Sequence, residues 1–179
     1  MGNAEIGPSG GMAMDLPAAV AQVLGPDGEV AGAGILVAEG LLVTCAHVIQ
    51  DASGGPGATV QLAFLHVENA PRVGGHVVDE LWRAPEDEDV AVVRLSNAPA
   101  SLRPLPLGSA AGCRGHQVRS FGFPAQAPPE GHFGFGVAGD LLPATRVGGP
   151  HLQLTSANDL TTGFSGAPVL DEMTGLGSV

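Results

Sequence analysis

Residues 18–44 read AAVAQVLGPDGEVAGAGILVAEGLLVT, and their punctuation decides what kind of chain this is. Three apolar runs are separated by the turn signals GPDG, Gly25 to Gly28, and Glu39-Gly40. Short runs bounded in this way fit strands. The whole chain agrees: 28 glycines and 15 prolines in 179 residues oppose long helices. Working outward, ATVQLAFL (58–65) and PRVGGHVVDE (71–80) also read as strands. DVAVVRL, Asp89 to Leu95, is a compact β-branched run of the kind found in a buried strand. AHVIQDA (46–52) fits a single helical turn. The stretch from Ser96 to Gly112 is proline-rich and has no period, so it reads as an extended linker. Beyond it, HQVRSFGF, HFGFGVAGDLL and HLQLTSA carry strand patterns. Phe133, Phe135 and Val137 alternate with glycine, and Leu152 and Leu154 alternate with polar residues. The expected fold is all-β in two small halves. Residues 1–15 form a flexible lead-in, 16–96 the first half, 97–112 the linker and 113–179 the second half.

Charge and cysteine usage narrow the class. The net charge is −11, and all seven cations are arginine. Such a chain repels phosphate backbones, so nucleic-acid binding is disfavoured, while basic partners are weakly attracted. Cys45 and Cys113 belong to no CxxC pair, and two free thiols in a reducing compartment are expected. His66, His76, His116, His132 and His151 share no ligand spacing, so neither a metal nor another cofactor is expected. The N-terminal segment lacks a basic region followed by a long apolar one, and no run approaches membrane-spanning length. A soluble, cytoplasmic protein with no membrane partner is the expectation.

Three segments carry chemistry only when taken together. LLVTCAHVIQ (41–50) places His47 just after a strand end. EDEDVAVVRL (86–95) places Asp89 against a buried run; Asp87 is its rival, but Asp89 abuts the apolar residues that would bury a carboxylate. TTGFSGAPVL (161–170) places Ser165 among glycines. A serine hydroxyl is a poor nucleophile until a base takes its proton. Imidazole suits that task near neutral pH, and a carboxylate fixes its tautomer. The glycines let the N–H groups of Gly163 and Ser165 converge where an oxyanion would form. Alone, each segment has a plainer structural meaning: a turn, a structural histidine, a solvated cap. The order His, Asp, Ser, each at a strand end, points to chymotrypsin-type chemistry.

TCAHVI, DVAVVRL and GFSGAPV resemble the His, Asp and nucleophile motifs of trypsin-like (chymotrypsin-fold) serine peptidases. The combination most resembles intracellular bacterial trypsin-like peptidase domains, from about Ala18 to the end of the chain. The resemblance implies two six-stranded antiparallel β-barrels with the site in the cleft between them. His47 and Asp89 would come from the first barrel and Ser165 from the second. It also implies sensor or ATPase modules in the same or a partner polypeptide. Val48 follows the histidine where secreted members carry cysteine, and Phe164 precedes the serine where they carry the aspartate used in zymogen activation. Asp159 lies six residues before Ser165; by resemblance it floors a pocket for Arg or Lys, and as a plain loop residue it makes an Asx-turn. Gly122-Phe123-Pro124 resembles a structural turn of the second barrel. Trp82, the single tryptophan, fits a barrel plug or a lid over the acidic loop. Only nine residues follow Leu170, so the second barrel is expected to be incomplete and the chain to be part of a longer protein.

The leading functional reading is a serine endopeptidase acting on proteins or peptides. The alternative is a catalytically inactive protease-fold module that binds or regulates. A third reading is a serine esterase for small esters.

Overall fold

The computed structural model describes residues 15–144, 149–160 and 163–178. The lead-in before Asp15 lies outside the described residues, as do Thr161 and Thr162. The first half contains β1 (Val20–Leu24), β2 (Val30–Ala38), β3 (Leu41–Thr44), α1 (Ala46–Ser53), β4 (Thr59–Ala63), β5 (Arg72–Val77) and β6 (Ala91–Leu95). Its strands close into an antiparallel barrel in the order β1-β2-β3-β6-β5-β4. The second half contains β7 (Gln117–Gly122), β8 (His132–Leu142), β9 (His151–Asn158), β10 (Val169–Asp171) and β11 (Gly177–Ser178). These form a five-stranded sheet in the order β11-β10-β7-β8-β9. That sheet stays open among the described residues, so the fold is a closed barrel beside an incomplete one.

The turns follow the punctuation. The Gly28 N–H donates to the Gly25 carbonyl at 3.0 Å, and Gly28 takes φ 87° at the corner between β1 and β2. Without a Cβ it enters that left-handed region at little steric cost. The helix is longer than the single turn expected. α1 runs eight residues because Ala46, Val48, Ile49 and Ala52 all find a buried face, and Gly54 ends it with a left-handed cap donating to the Ile49 carbonyl. Tertiary burial outweighs the weak helix propensity of its β-branched residues.

Strands β1 and β2 explain how the halves are joined. β1 is buried throughout, as are the middle five residues of β2. Ala21, Val23 and Leu36 face the barrel interior with Val48, Ile49, Leu62 and Val93. Val20, Ala33 and Ile35 face the other way, into a second core with Leu105, Phe121, Phe123 and Leu170. A strand covered on both faces reads as a continuous apolar run, as residues 30–38 do. The proline-rich stretch contributes to both cores, through Leu102 in the barrel and Leu105 in the shared core. Trp82 packs against the barrel core. In β8 the glycine side of the alternation faces inward: Gly134 and Gly136 are buried, while Phe135 is 47% exposed. No helix among the described residues is long and apolar enough to cross a membrane.

Candidate active site

The β3–β6 ladder delivers the histidine and the aspartate to one place. Thr44 is paired with Ala91, so the residues just after β3 and just before β6 lie side by side. Cys45 adopts extended angles as the N-cap of α1 but makes no capping hydrogen bond with its side chain. The first N–H groups of the helix therefore need outside acceptors. Asp89 supplies them. Its carbonyl accepts from Ala46 N–H at 3.3 Å, and its Oδ1 accepts from His47 N–H at 2.9 Å. An anion at a helix N-terminus is also favoured by the helix dipole. Asp89 holds φ 53°, in a left-handed region that aspartate tolerates better than most residues. Its remaining oxygen, Oδ2, lies 2.6 Å from His47 Nδ1. With a proton on Nδ1, the ring presents Nε2 as an acceptor. Asp87 is exposed and takes no part.

The serine loop is clamped from both halves. Ala33 of β2 donates its N–H to the Ser165 carbonyl at 2.9 Å. Gly166, at φ 78°, is buried so closely that a Cβ would lie 2.1 Å from the Ala33 carbonyl oxygen and 2.5 Å from Thr44 Oγ1. Thr44 Oγ1 in turn donates to that carbonyl at 2.6 Å. On the other side, Phe123 N–H donates to the Gly163 carbonyl at 3.1 Å, and a Cβ on Gly163 would meet the backbone of Pro124 at 2.5 Å. The Gly-Phe-Pro turn after β7 is thus the floor on which the serine loop rests. No backbone carbonyl among the described residues accepts the N–H of Gly163 or Ser165. No hydrogen bond joins the Ser165 hydroxyl to His47 among the described residues. The Gly166 contact with Thr44, three residues before His47, nevertheless holds the two segments next to each other.

Residues 32–176 match the family model for a trypsin-like peptidase domain. The chain belongs to that family. It is a serine endopeptidase of the trypsin-like type, acting on protein substrates. No curated protein sequence matches it. Among solved structures, Deg5 is similar at 22% identity over 90% of this chain and 77% of that one, with a TM-score of 0.66. An inactive mutant form of Rv3671c from M. tuberculosis H37Rv is similar at 18% identity over 90% and 76% of the two chains, with a TM-score of 0.59. The HtrA-type protease AlgW, solved with a tripeptide, is similar at 18% identity over 87% of this chain and 48% of that one, with a TM-score of 0.62. At these identities the likeness is one of fold.

The other residues of the peptidase domain singled out in the sequence fall in different places. Asp159 lies beyond the end of β9 with its side chain 65% exposed, at φ 60°, and its Oδ2 is 4.0 Å from His132 Nε2. Cys45 packs half-buried against the barrel core, with no disulfide to Cys113. Burial, followed by the charge of Asp89, pushes its thiol up to about 11, so it stays protonated at neutral pH. A second histidine–aspartate pair escaped the sequence reading. His116 Nδ1 lies 2.7 Å from Asp171 Oδ2, joining the start of β7 to the end of β10. Burial pushes the Asp171 carboxyl up. The His116 hydrogen bond and the Met173 N–H outweigh it and hold the group below its ordinary value. No local pattern could have announced a pair so far apart in the chain.

Proposed function

We propose that Ser165 attacks the scissile carbonyl, that His47 takes its proton and returns it to the leaving amine, and that Asp89 orients His47. In the same reading the N–H groups of Gly163 and Ser165 bind the oxyanion. The observation that carries this is the double grip of Asp89 on His47, at 2.6 Å on Nδ1 and 2.9 Å on the backbone N–H. One carboxylate thereby fixes both the position and the tautomer of the base. Hydrogen bonds of the apo state in such sites are often loose and tighten only with substrate bound. Replacing Ser165 with alanine is expected to lower kcat by about 10⁶-fold, by analogy with subtilisin. It should also abolish labelling by a fluorophosphonate probe. Hydrolysis that survives the substitution refutes the assignment.

The finer reading places Asp159 as the selector for Arg or Lys at the cleaved position. Its exposed carboxylate supports this, because it is available to a cationic side chain. The His132 contact at 4.0 Å is the competing arrangement. We further propose a cytoplasmic setting, with sensor or ATPase modules in the same or a partner polypeptide. Two unpaired cysteines support the reducing compartment. Failure of wild-type protein to react with the fluorophosphonate refutes the assignment of Ser165 as the nucleophile.

A further inference from the structure

We propose that Cys45, His47 and Asp89 together form an inhibitory site for a thiophilic divalent cation, with zinc as the best fit. Among the described residues these three are the one group of potential ligands whose donor atoms all lie within 4.8 Å of one another. The donor set is a sulfur, an imidazole nitrogen and a carboxylate oxygen. That mixture suits zinc rather than calcium or magnesium, which take oxygen ligands. Zinc bonds of about 2.0–2.3 Å at tetrahedral angles set donor atoms roughly 3.3–3.8 Å apart. The 2.6 Å separation of Nδ1 and Oδ2 must open by about 1 Å or less, and the widest separation must close by about 1 Å, both within side-chain reach. The site is reachable, because the His47 and Asp89 side chains are 41% and 30% exposed. Glu86, Asp87 and Glu88 are exposed on the same loop as Asp89 and raise the local concentration of cations.

Binding there has a definite chemical consequence, which rests on the reading of His47 as the base. Without metal, Nδ1 carries the ring proton and Nε2 offers its lone pair. A metal on Nδ1 takes that nitrogen's lone pair, so the single proton of the neutral ring moves to Nε2. The Cys45 thiol releases its proton to solvent, and the carboxylate gives none. One proton leaves per metal bound, and nothing is oxidised or reduced. Nε2 then holds a hydrogen and cannot accept the Ser165 proton. The metal acts by fixing the wrong tautomer, not by blocking the cleft.

Cobalt(II) is the probe, because a cobalt–thiolate bond gives a near-ultraviolet charge-transfer absorption. Wild-type protein titrated with cobalt should show that band, and zinc should displace it. Cys45→Ser should lose the band, whereas Cys113→Ser should keep it. Ser165→Ala should also keep it, so the metal site is tested even where hydrolysis is absent. Zinc should inhibit wild-type hydrolysis, with the concentration for half-inhibition rising at least tenfold in Cys45→Ser. No charge-transfer band in wild type at saturating cobalt overturns the proposal. So does zinc inhibition that is the same in wild type and Cys45→Ser. Wild-type protein that shows the band but no metal-free hydrolysis overturns the catalytic reading and leaves the site in place.

Discussion

Gly166 gives the most direct test of how the serine is held. In Gly166→Ala the new methyl would lie 2.1 Å from the Ala33 carbonyl oxygen and 2.5 Å from Thr44 Oγ1. Ala33 cannot retreat freely, because it sits in the buried middle of β2 and is paired with Gln22 of β1. Thr44 can rotate only by giving up its buried hydrogen bond to Ala33. The left-handed φ of 78° adds about 1–2 kcal/mol for any residue with a Cβ. Forcing a methyl into a filled site adds about 1–3 kcal/mol. The sum, about 2–5 kcal/mol, is a large part of a typical domain stability of roughly 5–15 kcal/mol. Gly28→Ala is the control. It carries a similar φ of 87° with nothing within 4 Å of its Cβ, so it should cost only the backbone part. Urea unfolding followed by the fluorescence of Trp82 compares the two variants. Gly166→Ala should be the less stable by about 1–3 kcal/mol and should react more slowly with a fluorophosphonate. If it unfolds within about 0.5 kcal/mol of Gly28→Ala, the difference expected of surface substitutions, and labels at the wild-type rate, the clamp described here is wrong.

Two further outcomes follow from the same geometry. Asp89→Asn should lower kcat by roughly 10⁴-fold through the wrong His47 tautomer, while circular dichroism shows α1 retained, because the amide oxygen can still accept the His47 N–H; full activity in this variant refutes the orienting role. Asp171 has its carboxyl held below its ordinary value of 3.8, so its contribution to stability is complete above that value and is lost as the pH falls through the lower folded value. The melting-temperature gap between wild type and Asp171→Asn should therefore close as the pH falls below 3.8; a gap that widens from about pH 4 toward about pH 2 reverses the sign and refutes the account.

Much of this architecture was legible because glycine and proline punctuate the chain so heavily. The runs around Gly25–Gly28 and Glu39-Gly40 became the first three strands. The residues that failed to announce themselves share a physical cause: their meaning is tertiary. Alternation in HFGFGVAGDLL gives the period of β8 but not the side that faces inward. The buried side is glycine because a Cβ on Gly134 would lie 2.3 Å from the Leu160 side chain. His116 and Asp171 are ordinary residues at strand ends until β10 pairs with β7. Asp89 was visible as a partner for His47, but its second task, capping α1, depends on the β3–β6 register. Ala33, which anchors the serine loop through one N–H, has no side-chain signal at all.

That single amide in β2 has a consequence for how such a chain can be made safely. A polypeptide emerges N-terminus first, and its early half can fold before the rest exists. The strands that carry His47 and Asp89 therefore emerge while Ser165 is still unsynthesised. In the proposed mechanism, cutting needs residues 163–166 to lay the Ser165 carbonyl on the Ala33 N–H and to seat Gly166 beneath Thr44. On that reading the architecture is its own interlock, because a half-finished molecule would hold the proposed base without the proposed nucleophile.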